Sequence, residues 1–374
     1  MRILFIAHSF KQGGAEKCLY QLVKFLQGSN IDCMIMGPAG GPYLAQYGAI
    51  AVRVKPVRSG SLFRNRKTLG LFRNLAGVLI STFQVAAQII VFRPHLVFTN
   101  TSSVVSGALA AKATGTPHIW HMHENYRMVE DAYFLPLPIL RRMYDRTAEK
   151  IIFVSGPALK SFYPEGNPRA EIIHNGVDVG LFNSEDRAGK YPLQIRKILF
   201  LGSLEHRKGP DTLIKAFVAV RAGFPQVELH LYGNGEAAYL EFLKNLVLPE
   251  IAAGVKFRGY CHDISRALPD YDLMVVPSRA ESFSLVTIEA MLAGLPVIAT
   301  RCGGPEELLQ DGVTGMLVEP GDADELAQAI LTMMRNPARA FAMGKEAKLT
   351  AIRKFDLNRQ LQSILNLLKR TIKE

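Results

Sequence analysis

Only four of the 374 residues are cysteine, and one is tryptophan. Cys18, Cys33, Cys261 and Cys302 lie far apart and form no C-x-x-C pair, which excludes a zinc ribbon or a disulfide-stapled scaffold and favours a reducing cytoplasm. The chain has no repeat of solenoid period and no long low-complexity tract. Met1–Phe10 carries a short apolar run without a cleavage pattern and reads as a first strand rather than a signal peptide. The one membrane-like run, Leu75–Phe92, contains Ser81, Thr82, Gln84 and Gln88 and is borderline in length, so a packed helix is expected there.

The most pointed absence is of acid. No Asp or Glu occurs between Asp32 and Glu124, a span holding nine Lys or Arg, whereas the whole chain carries a net charge of +11. Within it Arg58, Arg64, Arg66, Lys67 and Arg73 alternate with Leu62, Phe63, Leu69, Leu71 and Phe72. Basic charge with apolar anchors suits an anionic membrane surface, and a solvated basic loop is the bland alternative. No helix-turn-helix, zinc-finger or RNA-binding signature accompanies the charge, so nucleic acid is not expected as a partner.

What is present is rhythm. Short apolar runs (RILFIA, IDCMIMG, HLVFTN, HIWHM, KIIFVS) alternate with helical patterns in the first half. The second half repeats this with KILFLG, VELHLYG, VKFRGY, LMVVPS, PVIAT and GMLVEP. Such alternation indicates parallel sheets wound by helices on both faces, and 48% hydrophobic content is ample for two cores. The polar stretch Asn183–Lys190 is the expected link. The division is therefore 1–182 and 183–356, two doubly wound domains facing each other across a cleft.

The segment Pro277–Gly294, PSRAESFSLVTIEAMLAG, reads strand, loop, helix and carries Glu281 on the loop and Glu289 in the helix. A helix N-terminus offers N–H groups to phosphate, and a nearby carboxylate can hold hydroxyls. That combination suits a nucleotide-sugar. The plainer alternative has Glu281 capping the helix and Glu289 on a solvated face. Gly13-Gly14 opens a helix after the first strand, where glycine lets a ligand approach the backbone. In GSLEHRKG, Arg207 and Lys208 follow a strand, and two cations there can neutralise a diphosphate leaving group. Four histidines cluster in sequence (His95, His118, His121, His123). His121 and His123 share a strand face, but no further ligand suggests a metal. Asp270–Asp272 and Asp322–Asp324 read as a strand-edge cap and a helix N-cap.

The E-x7-E pattern followed by AMLAGLPVIAT, CGGPEELLQDG and TGMLVEP, together with GGAE, the His123 region, IIHNGVD, GSLEHRKG and LYGNGE, resembles the retaining GT-B glycosyltransferases of family 4 (glycosyl transferases group 1). This large family includes sucrose synthases and bacterial lipid and polysaccharide glycosyltransferases. The resemblance touches most of the chain. It implies a GT-B fold, α/β, in which helix 357–374 packs back on the first, acceptor-side domain and the second binds the nucleotide-sugar. It implies no cofactor and no metal, with a nucleotide-diphosphosugar as co-substrate. By the same resemblance His123, Glu281 and Lys208 are the catalytic candidates. Gly13, Gly14, Arg207, Gly233, Arg258, Tyr260, Phe283, Ser284, Leu285 and Glu289 border the donor. The expected activity is retaining transfer of a sugar to a lipid-linked or cell-surface polysaccharide intermediate, peripheral on the cytoplasmic face of the inner membrane. Ser203 stands where the family commonly has arginine, and Ser284 where it often has glycine. These departures leave open a catalytically silent nucleotide-sugar binder or scaffold, and an epimerase or phosphorylase on the same fold is a further alternative.

Overall fold

The structure, a computed structural model, describes residues 1–57, 68–129, 133, 135–182, 194–261 and 263–373, with 68–73 and 373 described by backbone alone. The basic segment expected to meet a membrane (Arg58, Arg64, Arg66, Lys67, Arg73 and the apolar residues among them) therefore lies outside the described side chains, as does the linker Asn183–Lys190.

Two compact units result: Met1–Asn175 with Arg359–Glu374, and Gly176–Asn358. The first is built on seven strands, β1 (Arg2–Ala7), β2 (Asp32–Gly37), β3 (Arg53–Pro56), β4 (Leu96–Asn100), β5 (His118–Met122), β6 (Lys150–Phe153) and β7 (Ala170–Ile172). They run parallel in the order β3-β2-β1-β4-β5-β6-β7. The order reverses between β1 and β4, whose last residues Ala7 and Asn100 are register partners. Loops leaving such a switch point diverge to opposite faces and leave a crevice for ligand.

The second unit repeats the plan with β8 (Lys197–Leu201), β9 (Glu228–Tyr232), β10 (Val255–Gly259), β11 (Leu273–Val276), β12 (Val297–Thr300) and β13 (Met316–Val318). Their order is β10-β9-β8-β11-β12-β13, again parallel, with the reversal between β8 and β11. β4, β5, β11 and β12 are buried along their whole length. Burial on both faces is why these strands read as unbroken apolar runs rather than as alternation.

Four helices matter for position in the first unit: α1 (Gly14–Gly28), α2 (Tyr43–Ala49), α3 (Thr68–Phe92) and α4 (Ser106–Thr114). α3 sets Val85, Ile89 and Phe92 into a core with Leu4, Ile6 and Val97 of the sheet and Ala110 and Ala111 of α4. The sequence predicts a packed helix here, and its inward side packs accordingly, but its outward side is apolar as well. Leu79, Phe83, Ile90 and Val91 are 62%, 75%, 68% and 75% exposed, while the polar Ser81 and Gln88 are buried beside Val85, Ile89 and Phe92. Both inward groups find partners, Ser81 Oγ donating to the Val78 carbonyl (3.0 Å) and Lys55 Nζ donating to Gln88 Oε1 (2.8 Å). Polar atoms satisfied in this way are tolerable inside, and that leaves the apolar stripe outside.

Candidate active site

In the second unit the switch point brings together the loop after β8, carrying Gly202–Gly209, and the loop after β11, carrying Pro277–Ser284. Lys208 Nζ forms an ion pair with Glu281 Oε1, and Ser278 Oγ donates to the same oxygen at 3.2 Å. Arg207 Nη1 stands 4.0 Å from Glu281 Oε2. Glu281 is almost wholly buried. Its carboxylate thus gathers a lysine, an arginine and a hydroxyl at the strand ends and does not cap the following helix. Gly209 makes this approach possible. Its φ is +68°, and a side-chain carbon there would sit 2.0 Å from the Pro277 carbonyl oxygen. Gly233 does the same for the loop after β9, where a side-chain carbon would lie 1.8 Å from the Gly202 oxygen.

Arg207 is oriented by a residue absent from the sequence-level expectations. Glu205 Oε1 accepts from Arg207 Nη2 at 2.6 Å and from Ser203 Oγ at 2.9 Å. The serine in the usual arginine position therefore helps hold Glu205, which holds Arg207 beside Glu281.

Glu289, in the helix Leu285–Leu292, is buried rather than on a solvated face. Its charge is felt at Cys261: burial, together with the Asp263 and Glu289 carboxylates, raises that thiol above its ordinary pKa. Cys261 directly follows the segment that carries Arg258 and Tyr260. That segment leaves β10 through a register shift between Phe257 and Gly259, and Arg258 and Tyr260 are exposed. Irregularities of this kind commonly re-aim a side chain near a site. Phe283 is buried, its backbone packed so closely on Gly304 that a side-chain carbon there would come within 2.5 Å. Ser284 precedes the helix with φ +79° and ψ 80°, and Leu285 opens it.

The loop after β11 is locked from outside by Arg279, which sequence reasoning missed. Its guanidinium binds both oxygens of Asp211, and its backbone N–H donates to the Arg207 carbonyl at 2.7 Å. Burial opposes charge on Asp211, yet Arg279, with the Tyr239 hydroxyl, holds its carboxyl below the usual range. The two are 68 residues apart, and no local pattern joins them.

In the first unit a second cluster forms at the ends of β1, β4 and β5. His123 Nε2 lies 2.9 Å from Asn100 Oδ1, and Asn100 Nδ2 donates to the Ala15 carbonyl at 3.1 Å. This network assigns the proton to His123 Nε2 and leaves Nδ1 as an acceptor. Burial first, then the neighbouring His121, keeps His123 well below the ordinary histidine pKa, with Glu124 opposing. The ring of His121 is 4.1 Å from that of His123, and burial lowers its pKa to about 3. Both are therefore neutral near pH 7. Among the described residues no group of three or more His, Cys, Asp or Glu side chains is placed to hold a metal.

Glu124 is fully employed. It accepts from Thr101 Oγ1, from the Ser102 N–H (3.1 Å) and from the His123 N–H (3.2 Å), fastening the end of β4 to that of β5. Gly13 and Gly14 lead into α1, and Glu16 turns back to pair with His8, Nε2 to Oε1 3.1 Å. His8 was not anticipated, because a lone histidine after a strand has no spacing signature. Burial opposes its charge, but Glu16, aided by Glu124, carries its pKa above the ordinary value. Reciprocally, His8 holds Glu16 below the usual range against burial.

The remaining acidic motifs are structural. Asp272 Oδ2 accepts the N–H groups of Arg196 and Lys197, each at 2.9 Å, capping the start of β8. Asp322 accepts from the Glu325 N–H at 2.8 Å as an N-cap.

Two family models match, each over most of one unit. Residues 12–181 match the model described as Glycosyltransferase Family 4, and residues 195–336 match that described as Glycosyl transferases group 1. The D-inositol 3-phosphate glycosyltransferase of Nocardioides is 28% identical over 62% of this chain and 57% of its own length. The phosphatidyl-myo-inositol mannosyltransferase of Mycobacterium tuberculosis is 34% identical over 58% of each chain. The matches thus span little more than half of these curated relatives. Among solved structures, Anabaena HepE in complex with UDP-glucose superposes with a TM-score of 0.81 at 26% identity, covering 99% of this chain and all of that one. The sucrose-phosphate synthase of Thermosynechococcus elongatus shares the fold with a TM-score of 0.78 at 22% identity over 99% of this chain and 98% of its own.

Proposed function

We propose, from the premise that the chain belongs to the family 4 (group 1) glycosyltransferases, that it transfers a sugar from a nucleotide-diphosphosugar to an acceptor with retention of anomeric configuration. The observation that carries this reading is the Lys208–Glu281 pair with Arg207 beside it, set at the switch point of the second sheet. A lysine ammonium has three donors, so Lys208 can keep Glu281 while it also meets the diphosphate. As the sugar–oxygen bond breaks, Lys208 and Arg207 offset the charge gathering on the departing nucleotide. Glu281, with Oε1 occupied, presents its other lone pairs to sugar hydroxyls. Glu289 holds ribose hydroxyls near Arg258 and Tyr260, and the N–H groups around Phe283–Leu285 meet phosphate and sugar.

His123, neutral with Nδ1 accepting, takes a hydrogen bond from a sugar hydroxyl. Retention by double displacement would need a free carboxylate nucleophile. Glu124 is engaged by three donors and Glu281 by two. Front-face attack is therefore the preferred route, the leaving phosphate assisting loss of the acceptor proton.

The acceptor is proposed to be a lipid-linked or cell-surface polysaccharide intermediate, reached at the cytoplasmic face of a membrane. The acid-free span from Asp32 to Glu124 supports this, as does a relative named for phosphatidyl-myo-inositol. HepE, solved with UDP and UDP-glucose, makes uridine the first nucleotide to try.

A thermal-shift panel of UDP, GDP, ADP and dTDP and their sugars, with and without chelator, tests the donor site. A shift with one nucleotide family that survives chelation is expected. No shift with any of them would favour the silent-scaffold alternative. The anomer of the product, read by NMR, tests retention.

A further inference from the structure

We infer that the outward face of α3 is a docking surface for an anionic lipid membrane, with the helix lying along the headgroups rather than across the bilayer. The inference names the surface by which the proposed membrane acceptor would be reached. It rests on that part of the proposed function and not on the donor chemistry.

Three observations carry it. First, α3 is apolar on both sides, inward through Val78, Val85, Ile89 and Phe92 and outward through a second set. The exposed large residues Leu75, Leu79, Ile80, Phe83, Ile90 and Val91 recur at helical spacing along one side, while Ser81 and Gln88 face the core. A helix on the surface of a globular protein ordinarily carries polar residues on its outer side, and an exposed apolar stripe of this length marks an interaction site. Second, the inner side is already committed: Val85, Ile89 and Phe92 are packed against the first sheet and α4. The stretch Asn74–Phe92 is long and apolar enough to span a bilayer, but spanning would tear these residues from the core. Lying in the interface leaves them in place.

Third, charge selects the occupant. α2, α3, α4 and strands β3 to β5 all fall inside the span from Asp32 to Glu124, whose nine cations face no acid within it and of which Arg53 is paired with Asp32 at its edge. Arg93 follows directly on α3, and Lys112 is exposed on the neighbouring α4. A second copy docking by this same face would set like charge against like charge. An anionic leaflet offers the complement to both the stripe and its cations.

The test is flotation of the full chain, without nucleotide, on vesicles of phosphatidylcholine alone and of phosphatidylcholine mixed with phosphatidylglycerol. Binding is expected only with the anionic vesicles, weakening as salt rises. The triple variant Leu79→Glu, Phe83→Glu, Ile90→Glu changes exposed positions only. It should reduce flotation at least tenfold while its thermal midpoint and its response to UDP stay those of the parent. A Phe83→Trp variant adds a direct reading: the introduced indole should shift blue and be quenched by brominated acyl chains. The native Trp120, buried in β5, should stay unquenched.

Wild-type flotation retained by the triple variant would overturn the assignment to α3. So would absence of vesicle binding combined with a dimer that the triple variant dissolves, since the stripe would then be a protein interface. Loss of the UDP response in the parent would count against the donor reading and leave this one standing.

Discussion

Arg279 sets Nη1 2.8 Å and Nη2 2.7 Å from the two carboxylate oxygens of Asp211, a fork-on-fork contact at a residue only 4% exposed. It joins the start of the helix Pro210–Gly223 to the loop that carries Glu281. The geometry around Glu281 and Arg207 in the second unit therefore depends on this pair.

Replacing Arg279 by Met would strand the Asp211 carboxylate. Breaking a buried pair from one side costs roughly 3–5 kcal/mol, and the lower end applies because Arg279 is a quarter exposed, with 26% of its side chain in solvent. Urea unfolding of Arg279→Met should show a loss of about 3 kcal/mol, and of distinctly less in the double variant Arg279→Met, Asp211→Asn. Equal losses in the two would deny the coupling.

Lys208 and Glu281 should fail in different ways. Lys208→Ala leaves a buried carboxylate without its ammonium, so it should lose stability as well as nucleotide affinity. Glu281→Gln keeps an acceptor toward Lys208 while it removes the charge. It should retain the UDP response yet drop kcat by about a hundredfold or more, the scale seen when a transition-state donor or charge is lost. Full turnover in Glu281→Gln would remove the carboxylate from the mechanism.

The His8–Glu16 pair gives the first unit a pH signature. His8 is more basic folded than unfolded, so its contribution is fully present below the unfolded value of 6.5 and fades as pH rises through the raised folded one. Glu16 is more acidic folded than unfolded, so its share is present above 4.5 and fades as pH falls through the lowered folded value. A His8→Gln variant should therefore melt about 2–4 °C below the parent near pH 6, with the gap narrowing as pH rises above 6.5. A gap that widened with pH would contradict the pairing.

How much of this was visible in the sequence follows from the range of each interaction. The strands were legible because a parallel sheet buried on both faces demands runs such as LVFTN and LMVV. Glu281 and Lys208 stood out through their motifs. Their contact did not, since it spans 73 residues and depends on two strands meeting at a switch point. Arg279, Asp211 and His8 carry no pattern of their own and gain meaning only from partners across a loop. α3 is legible as a packed helix, but with apolar residues on both sides the pattern does not say that Val85, Ile89 and Phe92 pack while Leu79, Phe83, Ile90 and Val91 stay outside.

Ser284 shows how a departure from family pattern becomes a measurable strain. Its φ of +79° lies in the left-handed region, which costs a non-glycine residue about 1–3 kcal/mol when the surroundings enforce it. Its hydroxyl, 2.9 Å from Thr287 Oγ1, offsets part of that. Ser284→Gly relieves the strain but loses the hydroxyl contact and adds flexibility to the unfolded chain, a penalty of roughly 0.5–1 kcal/mol. Ser284→Ala loses the contact and keeps the strain. The glycine variant should therefore be more stable than the alanine variant by about 1 kcal/mol in urea unfolding, with the parent close to the glycine variant. If alanine proved as stable as glycine, the backbone at Ser284 would have to relax out of the left-handed region, and the N–H groups opening Leu285–Leu292 would lose the orientation assigned to them toward phosphate.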